Sequence, residues 1–197
     1  YVVVTFSAPK SVSLLAEVAG MHELRQAHEE AVKETLDYMQ RSLAETRVGY
    51  GKNTLIEKTG NLTVALFRHN TSRELEPQTH THAVIMNATQ GADGKWRSLF
   101  NDPIYHRQHT IGAIYMSTLA TKVRGLGLDI DIKDKYGNFE IKGIGDAGLE
   151  HFSQRRTQIK EALAKRGIAI EDASAYQREK ATLVTRKSKT EVDHALL

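Results

Sequence analysis

Asn61-Leu-Thr-Val-Ala-Leu-Phe-Arg-His69 and Thr79-His-Thr-His-Ala-Val-Ile-Met-Asn-Ala-Thr89 are two β-type runs joined by a polar stretch from Asn70 to Pro77. Successive strand side chains point to opposite faces, so Leu62, Val64, Leu66 and Arg68 share one side of the first run. Thr63, Ala65, Phe67 and His69 share the other. By the same period His80 and His82 project together from the second run. The connection is too short for a parallel crossover, which makes the two strands antiparallel neighbours. His69 then sits beside His80 and His82. Three neutral imidazoles meeting at one point suit Zn, Mn, Co, Ni or Cu and leave coordination positions open for a substrate. A His-x-His pair alone is a weak signal. The third His at the facing strand end makes the set a candidate metal centre. The remaining histidines (His22, His28, His106, His109, His151, His194) fall in helical or tail contexts and are expected at the surface.

Outward from this pair, Val2 to Phe6 is β-branched and aromatic and reads as a strand. Ser7-Ala-Pro9 breaks it, and Ser11 is placed to cap a helix. Apolar residues at three-to-four spacing predict helix from Lys10 to about Leu43, with Gly20 dividing it in two. Strands are expected at Arg47 to Tyr50 and Thr54 to Lys58. A turn at Ala92-Asp-Gly94 leads to a strand from Lys95 to Leu99. A helix follows from Tyr105 to about Leu126, and a hairpin folds around Tyr136-Gly137. Leu149 to Arg166 is a last helix, and the tail from Glu171 is polar and poorly periodic. The plan is α+β: a mostly antiparallel sheet with helices on one face and the other face free to hold a site.

The 197 residues suit one domain, expected to span 1–197. Cys is absent, which excludes disulfides, a thiolate nucleophile and a Cys-ligated zinc. No apolar run is long enough to span a membrane. The net charge is +3 with His neutral, which mildly favours an anionic partner. The chain opens at Tyr1, inside an apolar run, and is expected to lack sequence on its N-terminal side. Arg68, Arg73, Glu76 and Gln78 lie in or beside the loop joining the histidine strands. Arg suits bidentate phosphate contact. Lys10 opens a helix, where backbone N–H groups also favour an anion. Arg155, Arg156, Arg186, Lys187 and Lys189 extend this into an anionic track. Trp96 and Phe100 are candidates for stacking on bases, although a core position is the commoner fate of such residues.

Six stretches carry a family resemblance: Thr5-Phe-Ser-Ala-Pro-Lys-Ser-Val-Ser13, Thr59-Gly-Asn-Leu62, Ala65-Leu-Phe-Arg-His-Asn-Thr-Ser-Arg73, Glu76-Pro-Gln-Thr-His-Thr-His-Ala-Val84, Asp93-Gly-Lys-Trp-Arg97 and Thr185-Arg-Lys-Ser-Lys189. Together they resemble the relaxase domain of conjugative plasmids, of the TrwC/TraI (MobF) class of HUH endonucleases. The resemblance implies a palm-like antiparallel sheet and a divalent metal (Mg, Mn or Zn) held by His69, His80 and His82. It implies a DNA-contacting loop at Arg73, Glu76 and Gln78. It further implies a tyrosine that nicks single-stranded DNA at a transfer origin, forming a 5′-phosphotyrosine and leaving a free 3′-OH. The implied setting is a bacterial cytoplasm, with a monomer working beside accessory DNA-binding proteins and a type IV secretion coupling protein, and with a helicase segment following.

Two departures stand out. Relatives carry their catalytic tyrosines well before the Thr-Phe-Ser motif, and none of Tyr1, Tyr38, Tyr50, Tyr105, Tyr115, Tyr136 or Tyr176 has a matching context. Relatives also carry an acid at the position of Val3. An alternative is therefore a DNA- and metal-binding module without cleavage activity. A weaker third reading is a small-molecule metalloenzyme.

Overall fold

The alternation read from the sequence reappears as alternating burial in the computed structural model, which describes residues 1–49, 51–170 and 172–185. Val2–Ser7 (β1), Val64–Thr71 (β4) and Pro77–Ile85 (β5) form a three-stranded sheet in the order β1-β5-β4. β1 runs antiparallel to β5, with Thr5 opposite His82, Phe6 opposite Thr81 and Ser7 opposite His80. Thr79, Thr81, Ala83 and Ile85 are buried, whereas Gln78, His80, His82 and Val84 are half-buried.

The described residues form two compact units, Tyr1–Asn70 with Gln78–Gly143, and Thr71–Pro77 with the described residues from Ile144 onward. In the first, Lys10–Glu17 (α1) and His22–Leu43 (α2) are divided where Gly20 takes a φ of 73°, a left-handed conformation that suits Gly. α2 buries Leu24, Ala27, His28, Ala31, Val32, Thr35, Met39 and Leu43, a stripe at helical spacing. It packs against Gln108–Gly125 (α4), which buries Ile111, Tyr115, Leu119, Ala120 and Val123. Each fully buried aliphatic side chain there contributes roughly 1.5–3 kcal/mol. Lys122 of α4 bridges Glu30 and Glu34 of α2 at 2.9 and 2.7 Å.

Glu45–Val48 (β2) pairs with Leu55–Lys58 (β3), Thr89–Gln90 (β6) with Trp96–Arg97 (β7), and Ile130–Ile132 (β8) with Phe139–Ile141 (β9), all antiparallel. The expected strand from Thr79 to Thr89 ends at Ile85, where pairing with β1 stops at Val2, and the Met86 N–H bonds Thr63 O, just ahead of β4, at 2.9 Å. A short helix, Asp102–His106 (α3), precedes α4, so the chain turns helical before Tyr105 and breaks at Arg107.

The second unit contains the helices Asp146–His151 (α5), Gln154–Ala164 (α6) and Ala175–Val184 (α7). The single helix expected over Leu149 to Arg166 is thus two, interrupted at Phe152-Ser153. The tail expected to be irregular holds α7. Its start is a capping box in which Ser174 Oγ accepts from Gln177 N–H and Gln177 reaches back to Ser174 N–H. Leu163, Ala173 and Ala181 form the unit's core, with Ile159, Ala162, Ile168 and Ile170 packed around them.

The serines of the Ser7 to Ser13 segment are joints. Pro9, not Ser11, is the N-cap of α1. Ser11 is fully buried and accepts the Ile141 N–H of β9 at 2.7 Å, while its own N–H donates to Glu140 Oε2 at 2.7 Å. Ser13 Oγ donates to Pro9 O at 3.1 Å and accepts Thr79 N–H at 3.1 Å, tying α1 to the start of β5.

Candidate metal centre

His80 and His82 lie on β5 and His69 on β4, on the sheet face opposite Phe6 and Thr81. Their ring centres are 5.0 Å (His69–His80), 5.3 Å (His69–His82) and 5.1 Å (His80–His82) apart. Three imidazoles around one tetrahedral ion at ~2.0–2.1 Å place ring centres roughly 5.2 Å apart, by geometry from the metal–nitrogen distance. The donor set and its spacing therefore fit a divalent metal. The rings are neighbours rather than a closed cage. His69 and His80 lie 22° from parallel, and among the described residues no group of three or more His, Cys, Asp or Glu already encloses a point where an ion would sit.

His80 and His82 each have Nδ1 engaged. His80 Nδ1 is 2.9 Å from the Gln78 carbonyl oxygen, which can only accept, so Nδ1 carries the proton and Nε2 keeps its lone pair. His82 Nδ1 is 2.9 Å from Thr5 Oγ1. Burial, and secondarily the neighbouring His80, lower the His82 pKa and favour the neutral ring, the form that ligates metal.

The other expected site residues are placed variously. Gln78 contributes its backbone carbonyl to His80. Lys10 is half-buried at the first position of α1. Arg68 alternates to the face opposite His69 and pairs with Glu29 of α2 at 3.2 Å. Arg73 is exposed in the loop between β4 and β5. Glu76 is 5% exposed, and its Oε1 accepts the Gln154 N–H that begins α6 at 2.7 Å, so its carboxylate is committed to that helix end. Arg155 and Arg156 lie on α6, Arg156 with its side chain exposed. Arg186 and Lys187, together with Lys189, His194 and Tyr50, lie outside the described residues.

Trp96, on the two-residue strand β7, is 61% exposed, contrary to the expected core position. Phe100 is half-buried beneath the Arg47 guanidinium, 4.1 Å from the ring centre. Val3 is exposed on the histidine face and offers no polar atom.

His28 corrects the expectation of a surface residue. It is 2% exposed, with Nδ1 2.7 Å from Tyr115 Oη and Nε2 2.8 Å from Thr81 Oγ1. Thr81 stands between the two histidines of β5 and faces the helices, so this contact holds the strand from behind. Tyr115 is itself 2% exposed, and burial raises its pKa, which unfits it as a nucleophile. His28 falls on the Leu24, Ala27 and Ala31 stripe of α2, and that periodicity was the signal available in the sequence. Thr5 carried no such signal, since its place beside His82 depends on β1 joining β5 rather than β4.

A family model described as TrwC relaxase matches residues 2–197. The chain is 40% identical over 198 residues to the multifunctional conjugation protein TraI of Escherichia coli strain K12, covering 96% of this chain and 11% of that protein. The chain thus spans about a tenth of that relative's length. A structure of the conjugative relaxase TrwC in complex with oriT DNA, metal-free, is 44% identical with a TM-score of 0.92, covering 98% of this chain and 68% of that one. The metal-bound form of the same complex gives 44%, 0.91, 98% and 67%. The mixed α+β architecture with antiparallel sheets is the fold of those structures. A match over nearly the whole chain, in sequence and in fold alike, assigns it: the chain belongs to the TrwC relaxase family.

Proposed function

We propose that this chain is the DNA-processing domain of a conjugative relaxase, which nicks and rejoins one strand of single-stranded DNA at a plasmid transfer origin. The observation that carries the reading is the gathering of His69, His80 and His82 on the open sheet face, with ring centres 5.0–5.3 Å apart. Membership of the TrwC family, and solved relatives bound to oriT DNA and to metal, support it.

The three imidazoles would hold a divalent cation, whose charge, when bound, draws electron density from a phosphate oxygen and makes phosphorus more electrophilic. Gln78 and Thr5 engage Nδ1 of His80 and His82, which would leave Nε2 of each ring to ligate the cation. Lys10, Gln78, Arg73, Arg155, Arg156, Arg186 and Lys187 are proposed to contact the DNA, mostly at its backbone phosphates, and Trp96 to stack on a base. In the transesterification a tyrosine oxygen forms a bond to phosphorus as the bond to the 3′ oxygen breaks. The 3′ oxygen leaves as a hydroxyl and the 5′-phosphate stays on the protein. The phosphodiester energy is conserved, so the reverse reaction rejoins the strand. None of the tyrosines of this sequence has the context that the resemblance implies for the nucleophile. Accessory DNA-binding proteins and a secretion coupling protein belong to the same proposal.

The test is incubation of the chain, and of a longer chain including upstream sequence, with an oligonucleotide bearing a transfer-origin nick site. A boil-resistant covalent adduct from the longer chain, lost in its His80→Ala variant, is expected. Retarded migration with no adduct from either chain would replace this reading with that of a binding module.

A further inference from the structure

We propose that Thr5 is a positioning residue for His82, using its hydroxyl to aim Nε2 of that ring at the point shared with His69 and His80. This rests on the reading of the triad as a metal site. The antiparallel register puts Thr5 directly opposite His82 on β5, and their contact is the 2.9 Å pair between Oγ1 and Nδ1. The ring it holds stands edge-on to both others, at 69° to His69 and 89° to His80. Val3, the next β1 residue on that face, is apolar and exposed and supplies no alternative acceptor. Thr is β-branched and stiff at χ1, so the hydroxyl is presented in few directions.

The two tethers differ in stringency. A carbonyl only accepts, so Gln78 commits His80 to Nδ1–H whether or not an ion is bound. A hydroxyl donates or accepts, so Thr5 holds the orientation of His82 and leaves its tautomer open. An ion at Nε2 takes that lone pair, and Nδ1 must then donate its proton to Thr5 Oγ1. Thr5 thus fixes direction, and the ion selects the tautomer.

Three proteins titrated with Zn²⁺ and with Mn²⁺ by calorimetry test this: wild type, Thr5→Val and Thr5→Ser. Thr5→Val keeps shape and strand preference and loses only the hydroxyl. It should weaken binding about 10- to 100-fold, the usual effect of losing such an outer contact, with an unchanged melting temperature. Thr5→Ser should restore most of the affinity. His80→Ala separates the two levels of the argument. If it binds as wild type, the metal reading falls and this proposal with it. If it loses binding while Thr5→Val binds as wild type, only the role of Thr5 is overturned. Long-range ¹⁵N correlation spectra of wild type give a check independent of any variant. Zn²⁺-loaded His82 should be protonated at Nδ1, and protonation at Nε2 would overturn the proposal.

Discussion

Lowering the pH from 7 to 4 tests one buried imidazole more than any other described group. His28 is enclosed by Tyr115 and Thr81 and is 2% exposed. Burial first, then the charges of His80 and Arg68, lower its pKa from 6.5 to about 4. The folded-state value lies below the unfolded one, so at pH 7 the ring is neutral in both states and carries no penalty. Below pH 6.5 the unfolded chain takes up a proton that the folded chain refuses, and stability falls until the folded ring also protonates near pH 4. That interval, at about 1.36 kcal/mol per pH unit, amounts to roughly 3 kcal/mol, a large share of a typical domain's ~5–15 kcal/mol. Urea unfolding of wild type and His28→Gln at pH 7, 6, 5 and 4 isolates it, since carboxylates common to both proteins cancel in the difference. The variant is expected to be less stable at pH 7, because Gln cannot reach both partners as the ring does. Its deficit should shrink by about 3 kcal/mol on acidification, because Gln does not titrate. A stability difference that stays constant from pH 7 to 4 would refute the assignment of His28 as a ring buried in its neutral form.

Ser11→Ala leaves the Ile141 N–H without its acceptor in a buried joint and should cost ~1–3 kcal/mol in denaturant unfolding; an unchanged midpoint would contradict the role of that serine. Glu76→Ala should destabilise by a similar ~1–3 kcal/mol, and Glu76→Gln by much less because it retains a carbonyl acceptor for the Gln154 N–H. Equal losses in the two variants would argue against that bond. Zn²⁺ or Mn²⁺ at about 100 times its dissociation constant should stabilise the fold by roughly 2.7 kcal/mol, and a chelator should reverse this. The melting-temperature gain is expected to vanish in His69→Ala, and its survival there would remove His69 from the metal site.

The long helix α2 and the histidine strands of the first unit were legible because each carries its own period. The α2 stripe from Leu24 to Leu43 and the alternation from Thr79 to Ile85 both record which side meets the core. The second unit was less legible. α7 is signalled chiefly by the Ser174 and Gln177 capping pair, and the interruption at Phe152-Ser153 has no Gly or Pro to mark it. His28 was misplaced because its residue type suggests water, whereas its position in the stripe and its two hydroxyl partners put it in the core.

Local sequence sufficed for the histidine pair, since His80 and His82 share a face in any strand and the short loop brings His69 alongside. Tertiary structure alone decided what those rings lean on. β1 inserts next to β5, which brings Thr5 to His82, a contact between residues 77 apart in the chain. It also buried Glu76 and brought Glu29 of α2 to Arg68. The physical reason is that the direction of a side chain follows from the period of its own strand or helix, whereas its neighbours depend on which distant segment wins the adjoining place, and that competition is settled by the burial of whole faces at once.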